Sequence, residues 1–112
     1  MYKKLIVLPI LFLLMINSAF PRQIQRQVIS GESLYEWSSS QEVSLQSQFV
    51  GMVMGVHDAF NELMFCTKDG VNQPELVLVV REFLVQNPEL TQKSAADLIR
   101  QALTEKYRCG KR

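Results

Sequence analysis

The chain has 112 residues, 47% of them hydrophobic and 21% charged, with 12 Lys and Arg against 11 Asp and Glu for a formal net charge of +1. So even a balance, with only Arg108, Lys111 and Arg112 gathered at one end, excludes nucleic acid as the main partner, because phosphate neutralisation takes concentrated basic residues. A single histidine and two cysteines, with scattered acids, lack the clustered ligands that a zinc or iron centre requires, so neither metal nor cofactor is expected.

Residues 1–19 read as a signal peptide. Lys3 and Lys4 are followed by the apolar stretch Leu5 to Ile16, interrupted at Pro9. This run falls short of the roughly 20 apolar residues that span a bilayer. Asn17-Ser18-Ala19 supplies small residues for cleavage, predicted after Ala19. The alternative is an uncleaved anchor, the one way this chain would meet a membrane; either route exports the remainder. Residues 20–30 are rich in Gln and Arg without an apolar period and are expected to form a flexible lead, leaving 31–112 as one helical domain.

The spacing predicts a first helix starting near Ser30 or Gly31, with Leu34, Tyr35 and Trp37 as its apolar residues, and ending in Ser38-Ser39-Ser40. Leu45, Phe49, Met52, Val53, Val56, Ala59, Phe60 and Leu63 then recur in steps of three and four, predicting a long helix over about 41–65. Val50 and Met54 lie nearly opposite that face, so this helix is either central or shared with a second copy of the chain. Gly51 and Gly55 are one turn apart, and Asp58 and Glu62 continue their line. Glycine costs about 1 kcal/mol relative to alanine inside a helix, so the pair suggests close approach of another backbone, within the chain or in a homodimer, ahead of a ligand groove.

Thr67-Lys68-Asp69-Gly70-Val71 reads as a polar connection with a turn, and Asn72 as the cap of a third helix, with Pro74 in its first turn and Glu75 at the capping-box position. Leu76 to Val80 is β-branched enough to suggest a strand. Leu76, Val80, Phe83 and Leu84 keep helical spacing, and Arg81-Glu82 breaks any alternation, so helix is preferred. Asn87-Pro88 ends it. A last helix begins between Thr91 and Ser94, where Ser94 and Asp97 resemble a capping box, and buries Ala95, Leu98, Ile99, Ala102 and Leu103. In an exported chain, Cys66 and Cys109 are most simply one disulfide, contributing about 4 kcal/mol by chain-entropy arithmetic. The expected fold is all-α, a compact bundle of about four helices stapled by that bond.

No enzyme chemistry assembles. His57 and Cys66 are nine positions apart, on opposite sides of a continuous helix, so they meet only across a sharp break. Asp58 and Glu62 could pair as carboxylates, yet nothing completes an acid–base site. The expected binding surface is instead the segment Thr67, Lys68, Asp69, Gly70, Val71 and Asn72, held at one end by Cys66 and at the other by the capped helix; Asp58 and Glu62 are the second choice.

The stretch Gly51-Met52-Val53-Met54-Gly55-Val56-His57-Asp58-Ala59 resembles the G-Y-x-x-G-V-x-D-A signature of the Rap/Tai immunity proteins of type six secretion systems. In matching order follow Phe65-Cys66, Gly70-Val71, Val80 to Leu84, Asn87-Pro88-Glu89, Ala95 to Leu103 and Tyr107-Arg108-Cys109, so the similarity covers about 31–109. Many members carry two further cysteines, where this chain has Ser38 and Phe49. Met52 replaces the usual tyrosine, and Cys66-Thr67-Lys68 the usual Cys-x-Pro. The resemblance implies a helical, often dimeric immunity protein in the periplasm that blocks a peptidoglycan-cleaving amidase effector. The alternative is a small periplasmic chaperone or envelope structural protein.

Overall fold

A computed structural model describes residues 28–110, so the predicted signal peptide and most of the predicted lead lie outside the described residues. Among the described residues the architecture is all-α. Four helices, α1 (Gly31–Ser39), α2 (Val43–Phe60), α3 (Gln73–Gln86) and α4 (Ala95–Lys106), are joined by connections that include a 3₁₀ turn, Pro88–Gln92. Each helix packs against the other three. Leu34, Phe49, Val53, Leu76, Val80, Leu84, Leu98, Ile99 and Leu103 are almost wholly removed from water, so all four helices supply one core.

Local chemistry sets the boundaries. Ser30, Asn72 and Ser94 each accept a backbone N–H from three residues on with their side chains, satisfying one of the orphan donors at the starts of α1, α3 and α4. Two of these caps also pair with each other. Gly31 N–H donates to the Lys93 carbonyl at 2.8 Å and Ala95 N–H to the Ile29 carbonyl at 2.8 Å, an antiparallel bridge centred on Ser30 and Ser94. The last residues of the expected lead, 28–30, are thereby joined to the start of α4. Gly31 is where side-chain absence matters most: a Cβ there would lie 2.6 Å from Leu98 Cδ1 and from the Thr91 carbonyl oxygen.

The β-branched run of α3 is helical, because Leu76, Val77, Val80, Phe83 and Leu84 all face the core at helical spacing while Leu78 and Val85 stay exposed. The stripe read for α4, Ala95, Leu98, Ile99, Ala102 and Leu103, is buried throughout.

Arg81 on α3 closes the α1–α2 corner. Its Nε donates to the Ser38 carbonyl at 3.1 Å, its Nη2 to Gln46 Oε1 at 3.0 Å, and its guanidinium lies 5.5 Å over the Phe49 ring. Gln46 Nε2 in turn donates to the Ser40 carbonyl. Ser38 and Phe49, the positions of the further cysteines in many Rap/Tai members, are both buried here and both touched by this one side chain.

The long helix is shorter than its periodicity predicts. It stops at Phe60, not near 65, because Asn61 turns to extended backbone and Glu62 adopts φ 71°, outside any right-handed helix. Leu63, expected on the buried face, is therefore 77% exposed in the turn that follows, and Ala59 and Tyr35 are exposed as well. Phe65 fills the core from outside the helix, wholly buried. Val50 and Met54, opposite the main face, are half-buried against the edge of the core. Gly51 and Gly55 meet no neighbour: a Cβ at either would have nothing within 4 Å, so the expected close packing is not supplied by this chain.

Candidate functional site

The connection from α2 to α3 is the most constrained irregular segment, and its residues explain why. After Phe60 the Glu62 N–H donates to the Phe65 carbonyl at 2.7 Å, while Leu63 and Met64 N–H groups both donate to the Phe60 carbonyl at 3.0 Å, closing a tight turn. A non-glycine residue at positive φ costs about 1–3 kcal/mol, so the surroundings must hold it. Phe65 does so by burial. Cys66 does so twice: its N–H donates to the Tyr107 carbonyl at 2.7 Å, and its sulfur is bonded to Cys109, with Cα atoms 4.7 Å apart. The disulfide predicted from export and cysteine count is thus present, fastening the tail after α4 to the connection after α2. Burial pushes the Tyr107 phenol above its usual value, and the Glu75 carboxylate adds to the effect.

Sequence reasoning missed a polar cluster here. His57 Nε2 is 2.9 Å from Thr67 Oγ1 and His57 Nδ1 is 2.9 Å from Asp58 Oδ1. Asn61 Oδ1 accepts both the Thr67 backbone N–H, at 3.0 Å, and the Thr67 hydroxyl, at 3.1 Å. The imidazole is 15% exposed and lies 5.8 Å, centroid to centroid, from the Phe65 ring. The sharp break that would bring His57 to the region of Cys66 does occur, at Asn61, and sets Phe65 and Thr67 beside the histidine. Only the pairing of a helix-ending Asn with positive φ at the next residue could have signalled it, and a Glu at that position gives no such signal.

The order hydroxyl, imidazole, carboxylate resembles a nucleophile relay, but the proton bookkeeping differs. The Thr67 hydroxyl also lies 3.1 Å from Asn61 Oδ1, a second acceptor that competes with His57 for its single proton. What the cluster does is tie the turn to α2.

Of the predicted binding residues, Thr67 faces inward into this cluster, while Lys68, Asp69, Gly70 and Asn72 are exposed. The Val71 N–H donates to the Lys68 carbonyl at 3.2 Å across a turn that Gly70 completes at φ 94°, a conformation glycine adopts at no cost. Asp58 is 74% exposed. Glu62 no longer continues the line of Gly51, Gly55 and Asp58, since it has left the helix. Among the described residues no group of three or more His, Cys, Asp or Glu side chains could hold a metal, and no helix is long and apolar enough to cross a membrane.

A four-helix bundle closed by one disulfide, with a polar cluster that fixes the connection after α2, defines a small all-helical domain. The chain belongs to the Rap1a immunity protein family, whose model matches residues 30–109, nearly the whole described domain. No curated protein matches the chain. Membership gives it the role of an immunity protein, which binds a cognate effector, and points to an inhibitor instead of an enzyme.

Proposed function

We propose that this chain acts in the periplasm, after loss of residues 1–19, and blocks a peptidoglycan-cleaving amidase effector of a type six secretion system. The observation that supports a contact at Lys68, Asp69, Gly70 and Asn72 is that this exposed segment is fastened at both ends, by the Cys66–Cys109 bond with the Thr67 cluster and by the Asn72 cap. A segment ordered in advance loses less entropy on binding. Leu63 and Met64, 77% and 44% exposed, stand next to it in the turn and supply apolar contact area. The α2 face of Val50, Gly51, Met54 and Gly55 is the proposed contact between two copies, since Gly51 and Gly55 leave room for a backbone that this chain does not provide.

The test pairs the chain with its effector. A periplasmic pull-down with the chain as bait identifies the partner, and digestion of peptidoglycan by that partner should stop when the chain is added. Replacing Lys68 and Asp69 together by alanine, with unchanged thermal stability, should weaken binding by about 2 kcal/mol, roughly thirtyfold in Kd. Unchanged affinity would move the contact elsewhere, first to Asp58. A partner without action on peptidoglycan would overturn the amidase reading.

A further inference from the structure

The proton roles in the His57 cluster follow from counting donors. Asn61 Oδ1 receives the Thr67 backbone N–H, so it is an acceptor facing Thr67, and the single proton of the Thr67 hydroxyl can go either to it, at 3.1 Å, or to an unprotonated His57 Nε2, at 2.9 Å. When that proton goes to Asn61, the 2.9 Å contact between Thr67 Oγ1 and His57 Nε2 is a hydrogen bond only if Nε2 carries a proton. On the other side of the ring, Nδ1 lies 2.9 Å from a carboxylate oxygen of Asp58, which only accepts. A neutral imidazole has one N–H; with it on Nδ1 facing Asp58, Nε2 takes the Thr67 hydroxyl proton and the hydroxyl no longer donates to Asn61. The imidazolium satisfies both ring contacts and also leaves the hydroxyl proton to Asn61, and the ring, 15% exposed against Phe65, leaves little room for water to stand in.

We propose that His57 is a proton-dependent latch on the turn that follows α2: doubly protonated, it clamps Thr67 and Asp58 together and leaves the Thr67 hydroxyl to bind Asn61, holding Asn61–Thr67 in place; singly protonated, it draws the hydroxyl proton away from Asn61 and loosens the turn. Asp58 is the charged group bonded to the ring. The turn offers it the uncharged Thr67, Asn61 and Phe65, with Glu62 and Lys68 exposed. From α4, the Arg100 guanidinium lies over Phe60 and pairs with Asp97, and the tail brings Tyr107, whose phenol burial keeps neutral.

Hydrogen exchange on the whole chain reads the latch directly, at about pH 5.5 and about pH 8, across the range in which imidazole is the side chain that changes charge. After correction for intrinsic rates, the Glu62, Cys66 and Thr67 amides should be severalfold better protected at the lower pH, with amides in the middle of α4 as reference. His57→Gln should abolish that difference. Should that variant not fold, Asp58→Asn, at an exposed position, should shrink it. Equal protection at both pH values, or an undiminished difference in a folded His57→Gln or Asp58→Asn chain, overturns the proposal. The consequence for the effector rests on the contact surface proposed above: affinity should be severalfold higher at the lower pH in the native chain and unresponsive in His57→Gln. A pH-dependent turn with pH-independent affinity supports the latch and displaces that contact surface, whereas a pH-independent turn overturns the latch whatever the affinity does.

Discussion

Arg81 donates from Nε to the carbonyl of Ser38 across 43 positions of sequence, and so ties the end of α1 to the middle of α3. The same guanidinium holds Gln46 and covers Phe49, which makes it the main polar link of the α1–α2 corner. Hydrogen bonds from charged donors are worth about 1.5–3 kcal/mol each, and removing a partner strands a part-buried acceptor. Arg81→Met is expected to destabilise by about 2–3 kcal/mol, and Arg81→Lys by less, since an ammonium cannot reproduce the fork. Urea midpoints of the two variants measure this; equal stability to the native chain would show the corner to be held by Phe49 packing alone.

Gly31 is buried with two carbonyl oxygens and Leu98 within 2.7 Å of where a Cβ would stand. Backbone carbonyls cannot swing aside as a side chain can. Gly31→Ala should therefore cost about 2–3 kcal/mol, in the upper part of the usual range for overpacking, and separate the Ser30–Ser94 bridge. Thermal unfolding gives the sign at once.

Gly51→Ala and Gly55→Ala should act in the opposite direction. Both sites are open and helical, so alanine is expected to stabilise an isolated chain by about 0.5–1 kcal/mol each. If two copies meet there, the same methyl groups push them apart. Light scattering at rising concentration, run beside thermal unfolding, separates the outcomes: a chain that stays monomeric at every concentration removes the proposed dimer contact.

Tyr107 gives the domain an alkaline dependence. Its folded value is raised by burial and by Glu75, so the protonated phenol is the form the fold favours. The resulting stability is complete below the ordinary value of about 10 and is lost as pH rises through the higher folded value. Tyr107→Phe should remove this component, so denaturation curves between about pH 9 and about pH 11 should fall less steeply for the variant. Parallel curves would place the alkaline loss at other groups.

Much of this architecture was legible in residue order because it depends on local rules. The caps at Ser30, Asn72 and Ser94, the stop at Asn87-Pro88 and the buried stripe of α4 each rest on hydrogen bonds or spacings within a few residues. The Cys66–Cys109 bond followed from chemistry that needs no geometry, two thiols in a chain expected to be exported. The family resemblance was carried by the same ordered fragments that the family match spans.

What residue order could not fix was the end of α2. Apolar periodicity runs on through Leu63, and only tertiary contacts outweigh it: Phe65 is buried to better effect outside the helix, and the disulfide with Cys109 and the Cys66 hydrogen bond to Tyr107 hold the chain where the turn must form. That choice brings Thr67 and Asn61 to His57, exposes Leu63 and takes Glu62 out of line with Asp58. The open faces of Gly51 and Gly55 were equally hidden, because whether a glycine is crowded depends on which helices come near it. Sequence by itself determined the four helices, their caps and their covalent tie, since those are local or chemical facts. Tertiary structure alone decided which polar groups meet, because the break after Phe60 that brings Thr67 to His57 is held by the burial of Phe65 and by the remote Cys109 and Tyr107.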